Sequence, residues 1–300
     1  MDKDITQWLS ELDKDIENIQ DQTEKESAKA RLEETMAMYH GEDELISSAD
    51  IYERMKTEPE EEKFMTGIGG LDEILKGFRR NQLIVLAAPT KSGKSQMTVE
   101  LAARMPDTHP VFFPFEESAD ELVRKFYDMK VSPPMFYTPK NVTDNSLKWI
   151  EKKIVEGKVK HDSKLFFIDH LHFIIPMTSE RLDTRIGQMM RDLKTIAKQH
   201  EVIVVLVAHL KKTNMQVQPS LEDLRDSSFI AQEADTVLML WREAKRDGNE
   251  MVVTNNTMLS VQANRRTGST GNVRMTFDSK TGRYLEFDWR DEDEGGENKW

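Results

Sequence analysis

Five apolar runs of strand length limit this chain more than any other feature. They are "QLIVLAA" (82–88), "PVFFPFE" (110–116), "KLFFIDH" (164–170), "VIVVLVAH" (202–209) and "DTVLML" (235–240). Stretches with helical periodicity lie between them, at 94–105, 118–128, 144–156 and 182–200. A strand that is apolar on both faces needs cover on both faces, and helices in the connections supply it. Ser118 and Glu121 form a capping box at the start of the second helical stretch. Further on, "LSVQA" (259–263) and "VRMTF" (273–277) alternate around "NRRTGSTGN" and predict a late hairpin. The expected fold class is α/β, with a mostly parallel central sheet covered by helices on both faces, preceded by a helical extension.

The two ends differ from the middle. The net charge is -12. Residues 1–63 hold 20 acids against 8 bases, and residues 288–300 hold 6 against 2. The remaining 64–287 carry 28 acids against 32 bases, so the middle is mildly basic. Overall acidity argues against a nucleic-acid partner, but this middle does not. Residues 4–38 read as helix, with Ile5, Trp8, Leu9, Leu12, Ile16 and Ile19 on one stripe. Such a stripe packs either on its own domain or on a neighbouring subunit. "KTEPEEEK" (56–63) is a linker by composition, and "RDEDEGGENKW" at the end is expected to be disordered. The expected division is a helical extension and linker (1–63), a core (64–287) and an acidic tail (288–300). The absence of cysteine excludes disulfides and a zinc ribbon and suits a reducing cytosol. No apolar run is long enough to span a bilayer, so no membrane association is expected.

Four positions carry chemistry. "LAAPTKSGKSQ" (86–96) resembles a phosphate-binding loop, G-x-x-x-x-G-K-S/T, with Ala88 where the first glycine belongs. It lies between a strand and a helix, as such a loop must. Pro89, Thr90, Lys91, Ser92 and Gly93 would wrap phosphate with backbone N–H groups, continuing into Gln96. Lys94 would hold the terminal phosphates and Ser95 a Mg²⁺ ion. Asp169 ends a buried strand and would support the metal at the same sheet edge. Glu116 or Glu117, in "FFPFEES", supplies a carboxylate able to deprotonate water. His209 ends the fourth run, where it could sense a terminal phosphate. Each alone has an ordinary reading as a strand-end polar residue. "DHLH" (169–172) lacks a third metal ligand in the sequence.

Together these motifs resemble the ATPase domain of DnaB-type ring helicases, a RecA-like fold, and above all the helicase half of phage primase–helicases. The resemblance covers about residues 64 to 287. It rests on "TGIGGLDEILKGFRRNQLIVLAA", "FEESADEL", "FFIDHLHFI", "VAHLKK", "LEDLRDSSFIAQEADTVLML", "NRRTGSTG" and "KTGRY". It implies that Lys94 and Ser95 bind phosphate and Mg²⁺, Glu116 rather than Glu117 polarises water, Asp169 supports the metal and His209 reads the γ-phosphate. The arginine finger would be Arg265 by the phage branch or Arg266 by the bacterial one, with Arg265 preferred. Ala263 stands where the family often has lysine. Phe277 would stack on the base, and Lys211, Lys212 and Arg225 would contact DNA.

The resemblance implies an ATP-dependent replicative DNA helicase. Its partners would be single-stranded DNA, translocated 5′ to 3′, and five further copies in a homohexamer. A replicative polymerase, primase or helicase loader would join them, in the cytoplasm (that of a bacterial host if the chain is phage-encoded). The rival readings are a RecA-like recombinase or signalling ATPase, and a nucleotide-gated adaptor with little unwinding.

Overall fold

The computed structural model describes residues 3–40, 45–58, 60–90, 92–132, 135–169, 174, 182–210, 218–224, 227–247 and 250–287. An eight-stranded sheet organises them. Strands β1 (Gln82–Ala88), β2 (Val111–Phe113), β3 (Leu165–Ile168), β4 (Ile203–His209) and β5 (Thr236–Asp247) run parallel in the order β2-β3-β4-β1-β5. Then β6 (Glu250–Asn264), β7 (Gly271–Asp278) and β8 (Arg283–Glu286) extend the sheet antiparallel. The expected parallel sheet and late hairpin are both present, and β5 is longer than its apolar run.

The pleat explains why β1 is apolar throughout. Ile84, Leu86 and Ala88 face one core with Met97, Leu101 and Phe112. Leu83, Val85 and Ala87 face the other, with Ile150, Ile186 and Leu193. Helices α5 (Lys94–Arg104) and α6 (Ala119–Asp128) build the first layer, and α7 (Leu147–His161) and α8 (Leu182–Gln199) the second. The capping box is formed: Ser118 Oγ accepts from the Glu121 N–H at 3.2 Å, and Glu121 Oε2 accepts from the Ser118 N–H at 2.7 Å.

Three expectations need correction. Residues 4–38 are two helices, α1 (Lys3–Glu17) and α2 (Gln22–His40). Asp21 breaks the run because its carboxylate accepts the Glu24 N–H at 2.8 Å and so caps α2. Strand β2 stops at Phe113, since Pro114 has no N–H to continue a ladder, and Glu116 lies in the following bend. The linker is shorter than its composition indicates, because α3 (Ser48–Thr57) reaches into it. Helices α3, α4 (Gly69–Leu75) and α9 (Ser227–Glu233) and strand β8 carry no strong periodic signal, being short.

Of the two readings of the N-terminal stripe, packing within the chain is the one seen. Leu9, Leu12 and Ile16 are buried with Ala28 and Leu32 of α2 and with Val155 and Val159 of α7. Side chains of residues 3–6, and residues 288–300 with Trp300, lie outside the description.

Both sheet edges are occupied. At β8 the Tyr284 N–H donates to Glu100 Oε2 at 3.1 Å, and the Tyr284 carbonyl accepts from Arg104 at 3.0 Å. At β2 the Phe112 N–H donates to the Tyr137 carbonyl at 2.9 Å, and the Tyr137 N–H to the Pro110 carbonyl at 2.8 Å.

Candidate active site

Parallel strands end at one edge, and that edge collects the site. Ala88 closes β1, buried and in register with His209 of β4. No positive φ falls on Ala88; the left-handed turn is at Gly93, φ +89°, which caps α5. A small residue therefore suffices at position 88. Pro89 and Ser92 close a tight turn through the Ser92 N–H and the Pro89 carbonyl at 3.3 Å, while Thr90 is exposed. Lys91 lies outside the described residues.

Lys94 is buried at the first turn of α5. Its Nζ lies 3.0 Å from His209 Nδ1 and 3.4 Å from the Pro89 carbonyl. Burial lowers its pKa, and the carboxylates of Glu116 and Asp169 oppose that. His209 Nε2 is 3.6 Å from Glu116 Oε1. An imidazole nitrogen facing an ammonium must accept, so His209 carries its proton on Nε2, toward Glu116. Glu117 points elsewhere: both its carboxylate oxygens lie 2.5 Å from Lys125 Nζ of α6. The two adjacent acids, indistinguishable by residue type, are thus separated by geometry.

Asp169 follows β3, and its N–H bonds the Phe113 carbonyl at 3.2 Å. Its Oδ1 is buried with no hydrogen-bond partner. Burial, and then the charges of Glu116 and Glu117, push its pKa up to about 6. An orphaned, buried carboxylate oxygen fits a hard divalent cation. Among the described residues no group of three or more His, Cys, Asp or Glu could hold a metal, which fits an ion held by one carboxylate, a hydroxyl and phosphate oxygens. Ser95, partly exposed at the helix start, is placed for that hydroxyl; His170 and His172 lie outside the description.

This geometry sets a prediction. Asp169 titrates higher folded than unfolded, so its contribution to stability is complete below about pH 4 and lost as pH rises through 6. Asp169→Asn should therefore stabilise the metal-free protein at pH 8 by roughly 2–3 kcal/mol. The gain should vanish near pH 4 in urea unfolding; an equal gain at both pH values would overturn the charge argument.

Beyond α5 lies an aromatic pair. Gln96 turns away from the loop, donating to the Gly282 carbonyl at 2.9 Å. Phe277 of β7 is half-buried, with its ring centre 5.1 Å from that of Tyr284, whose hydroxyl reaches the Gly93 carbonyl. The Arg242 guanidinium stacks 4.7 Å above the Phe277 ring. Sequence reasoning missed Arg242; a cation directly after the apolar run of β5 was the available signal.

Arg265 and Arg266 are not brought to this edge. They sit at the β6–β7 turn, beside the start of β1. The Arg265 N–H bonds the Asp235 carbonyl, and the Asp235 N–H bonds the Leu83 carbonyl. From Leu83 to Ala88 the strand rises roughly 16 Å. The Arg265 side chain donates to the Gln232 carbonyl, and Arg266 lies 3.7 Å from Glu61. Lys211, Lys212 and Arg225 lie outside the described residues; the segment holding the two lysines leaves and rejoins the sheet through a Leu210–Leu224 bridge.

A family model described as the DnaB-like helicase C-terminal domain matches residues 64–135 and 134–286. The chain belongs to this family. Among its relatives, the replicative DNA helicase DnaB of Leifsonia xyli subsp. xyli (strain CTCB07) is 26% identical over 257 residues, covering 74% of this chain and 55% of that protein. The replicative DNA helicase DnaC of Bacillus subtilis (strain 168) is 24% identical over 330 residues, covering 97% and 69%. The chain thus spans between about half and two thirds of the length of these DnaB-like relatives. The DnaB-like fold recurs in the solved ATPase domain of a phage helicase, with a TM-score of 0.68 at 20% identity, covering 80% of this chain and 97% of that one. A DnaB-like replicative helicase studied for its interactions with primase gives 0.66 at 21% identity, covering 82% and 68%.

Proposed function

We propose that this DnaB-like chain is an ATP-dependent replicative DNA helicase that works as a homohexameric ring, hydrolysing ATP between subunits. The observation that carries this reading is the split of the site. Lys94, Glu116, Asp169 and His209 share one sheet edge, while Arg265 and Arg266 lie at the other end of β1. A finger from the same chain cannot reach that edge; a finger from a second copy can.

In this reading the N–H groups of the loop and Lys94 hold the phosphates, and Glu116 orients and deprotonates the attacking water. His209 bridges Lys94 and Glu116 and so links phosphate contact to the base. Ser95 and Asp169 would hold Mg²⁺, which neutralises charge on the transferring phosphoryl group. Phe277, faced by Arg242, offers a platform for the base. Lys211, Lys212 and Arg225 contact single-stranded DNA through its backbone, with movement 5′ to 3′. Residues 64–287 form the motor, 1–63 an extension that docks on the next subunit, and 288–300 an acidic tail for a polymerase, primase or loader. Helix α3 suits docking because Tyr52 is 61% and Met55 70% exposed. No helix among the described residues is long and apolar enough to cross a membrane, which is compatible with work in the cytoplasm.

The test is ATP turnover with and without single-stranded DNA, paired with particle imaging. Six-fold rings and DNA-stimulated turnover are expected, and Met55→Glu should reduce the rings. Full DNA-stimulated turnover from a monomer would sink the interfacial site.

A further inference from the structure

The handedness of the phosphate-binding loop is controlled from the far end of the chain. The Gly93 carbonyl accepts two hydrogen bonds, from the Met97 N–H at 2.9 Å and from the Tyr284 hydroxyl at 3.1 Å. A trans peptide is planar, with its C=O and N–H pointing opposite ways. Holding the Gly93 carbonyl therefore aims the Lys94 N–H the other way, out of the open end of α5, where an anion would lie.

Tyr284 is itself immobilised. It is 1% exposed. Glu100 and Arg104 grip its N–H and carbonyl. Glu100 is fully buried and neutralised by Arg104 at 2.6 Å and Arg283 at 2.9 Å. A Cβ at Gly93 would collide with the tyrosine hydroxyl, so the close approach requires glycine there. Burial pushes the hydroxyl pKa upward, which keeps it a donor.

We propose that Tyr284 is a positioning residue for the loop: its hydroxyl fixes the Gly93 carbonyl and thereby aims the Lys94 amide at the phosphates of a bound nucleotide. The inference rests on reading residues 88–96 as a nucleotide site. It assigns the Glu100–Arg104–Arg283 cluster a purpose beyond packing, since that cluster holds the tyrosine that holds the loop.

Tyr284→Phe removes the hydroxyl alone and keeps the ring that fills the core. In the full chain, the Kd for a non-hydrolysable ATP analogue and the KM for ATP should rise about three- to tenfold, as expected for one hydrogen bond. The value of kcat should stay within about twofold, because Lys94 Nζ, Glu116 and Asp169 are untouched. An unchanged Kd and KM would overturn the proposal, and so would a lower Tm with unchanged KM, which marks a packing role only. If the unaltered protein binds no analogue, the nucleotide reading itself fails; normal binding by both proteins defeats only the role of Tyr284.

Discussion

Arg265→Ala should lower ATP turnover by about 10³–10⁵-fold while leaving nucleotide binding nearly intact. The reason is positional. The Arg265 backbone is anchored beside the first residues of β1, and the phosphate-binding loop follows the last. Strand length separates them within one chain, so the guanidinium acts only on a neighbour's site. Mixing distinguishes this from a structural defect. In a heterologous ring each site takes its base from one subunit and its finger from the next. Equal amounts of Arg265→Ala and Glu116→Gln subunits pair an intact base with an intact finger at one interface in four, so about a quarter of normal turnover should return. No recovery in mixed rings would place the finger elsewhere. Arg266→Ala serves as the comparison. Arg266 faces Glu61 of the linker, and a modest loss is expected from it.

Glu116→Gln should lower kcat by about 10²–10⁴-fold with little change in KM, as removal of a general base does. Glu117→Gln is the control, one residue away. Its carboxylate is committed to Lys125, so its loss should cost far less turnover. Equal losses from both variants would mean that neither acid is specifically the base.

Much of this was legible in the sequence, for physical reasons that can be named. The strands were readable because burial on both faces leaves little but apolar residues in them. Their shared direction then placed Asp169 and His209 beside the loop without any long-range information. The capping box of α6 was readable because it is local. The break between α1 and α2 was local too, yet apolar periodicity on both sides hid the competing cap by Asp21. What stayed illegible depended on distant partners. Nothing near Arg242 says that Phe277 will lie beneath it, and nothing near Gly93 names Tyr284, 191 residues away. The choice between Glu116 and Glu117 turns on where Lys125 reaches, a question of packing rather than of pattern.

The occupied sheet edges bear on how copies of this chain can meet. A free edge lets a neighbour join by strand pairing, a ladder of backbone bonds with one permitted register and almost no rotation. Here Glu100 and Arg104 fill that role at β8, and Tyr137 fills it at β2. Neighbours must therefore meet through side chains. Mechanically such a joint is a bearing rather than a weld: subunits can swivel a few degrees against one another without breaking a ladder. A motor that opens and closes its sites in turn needs that freedom at every interface.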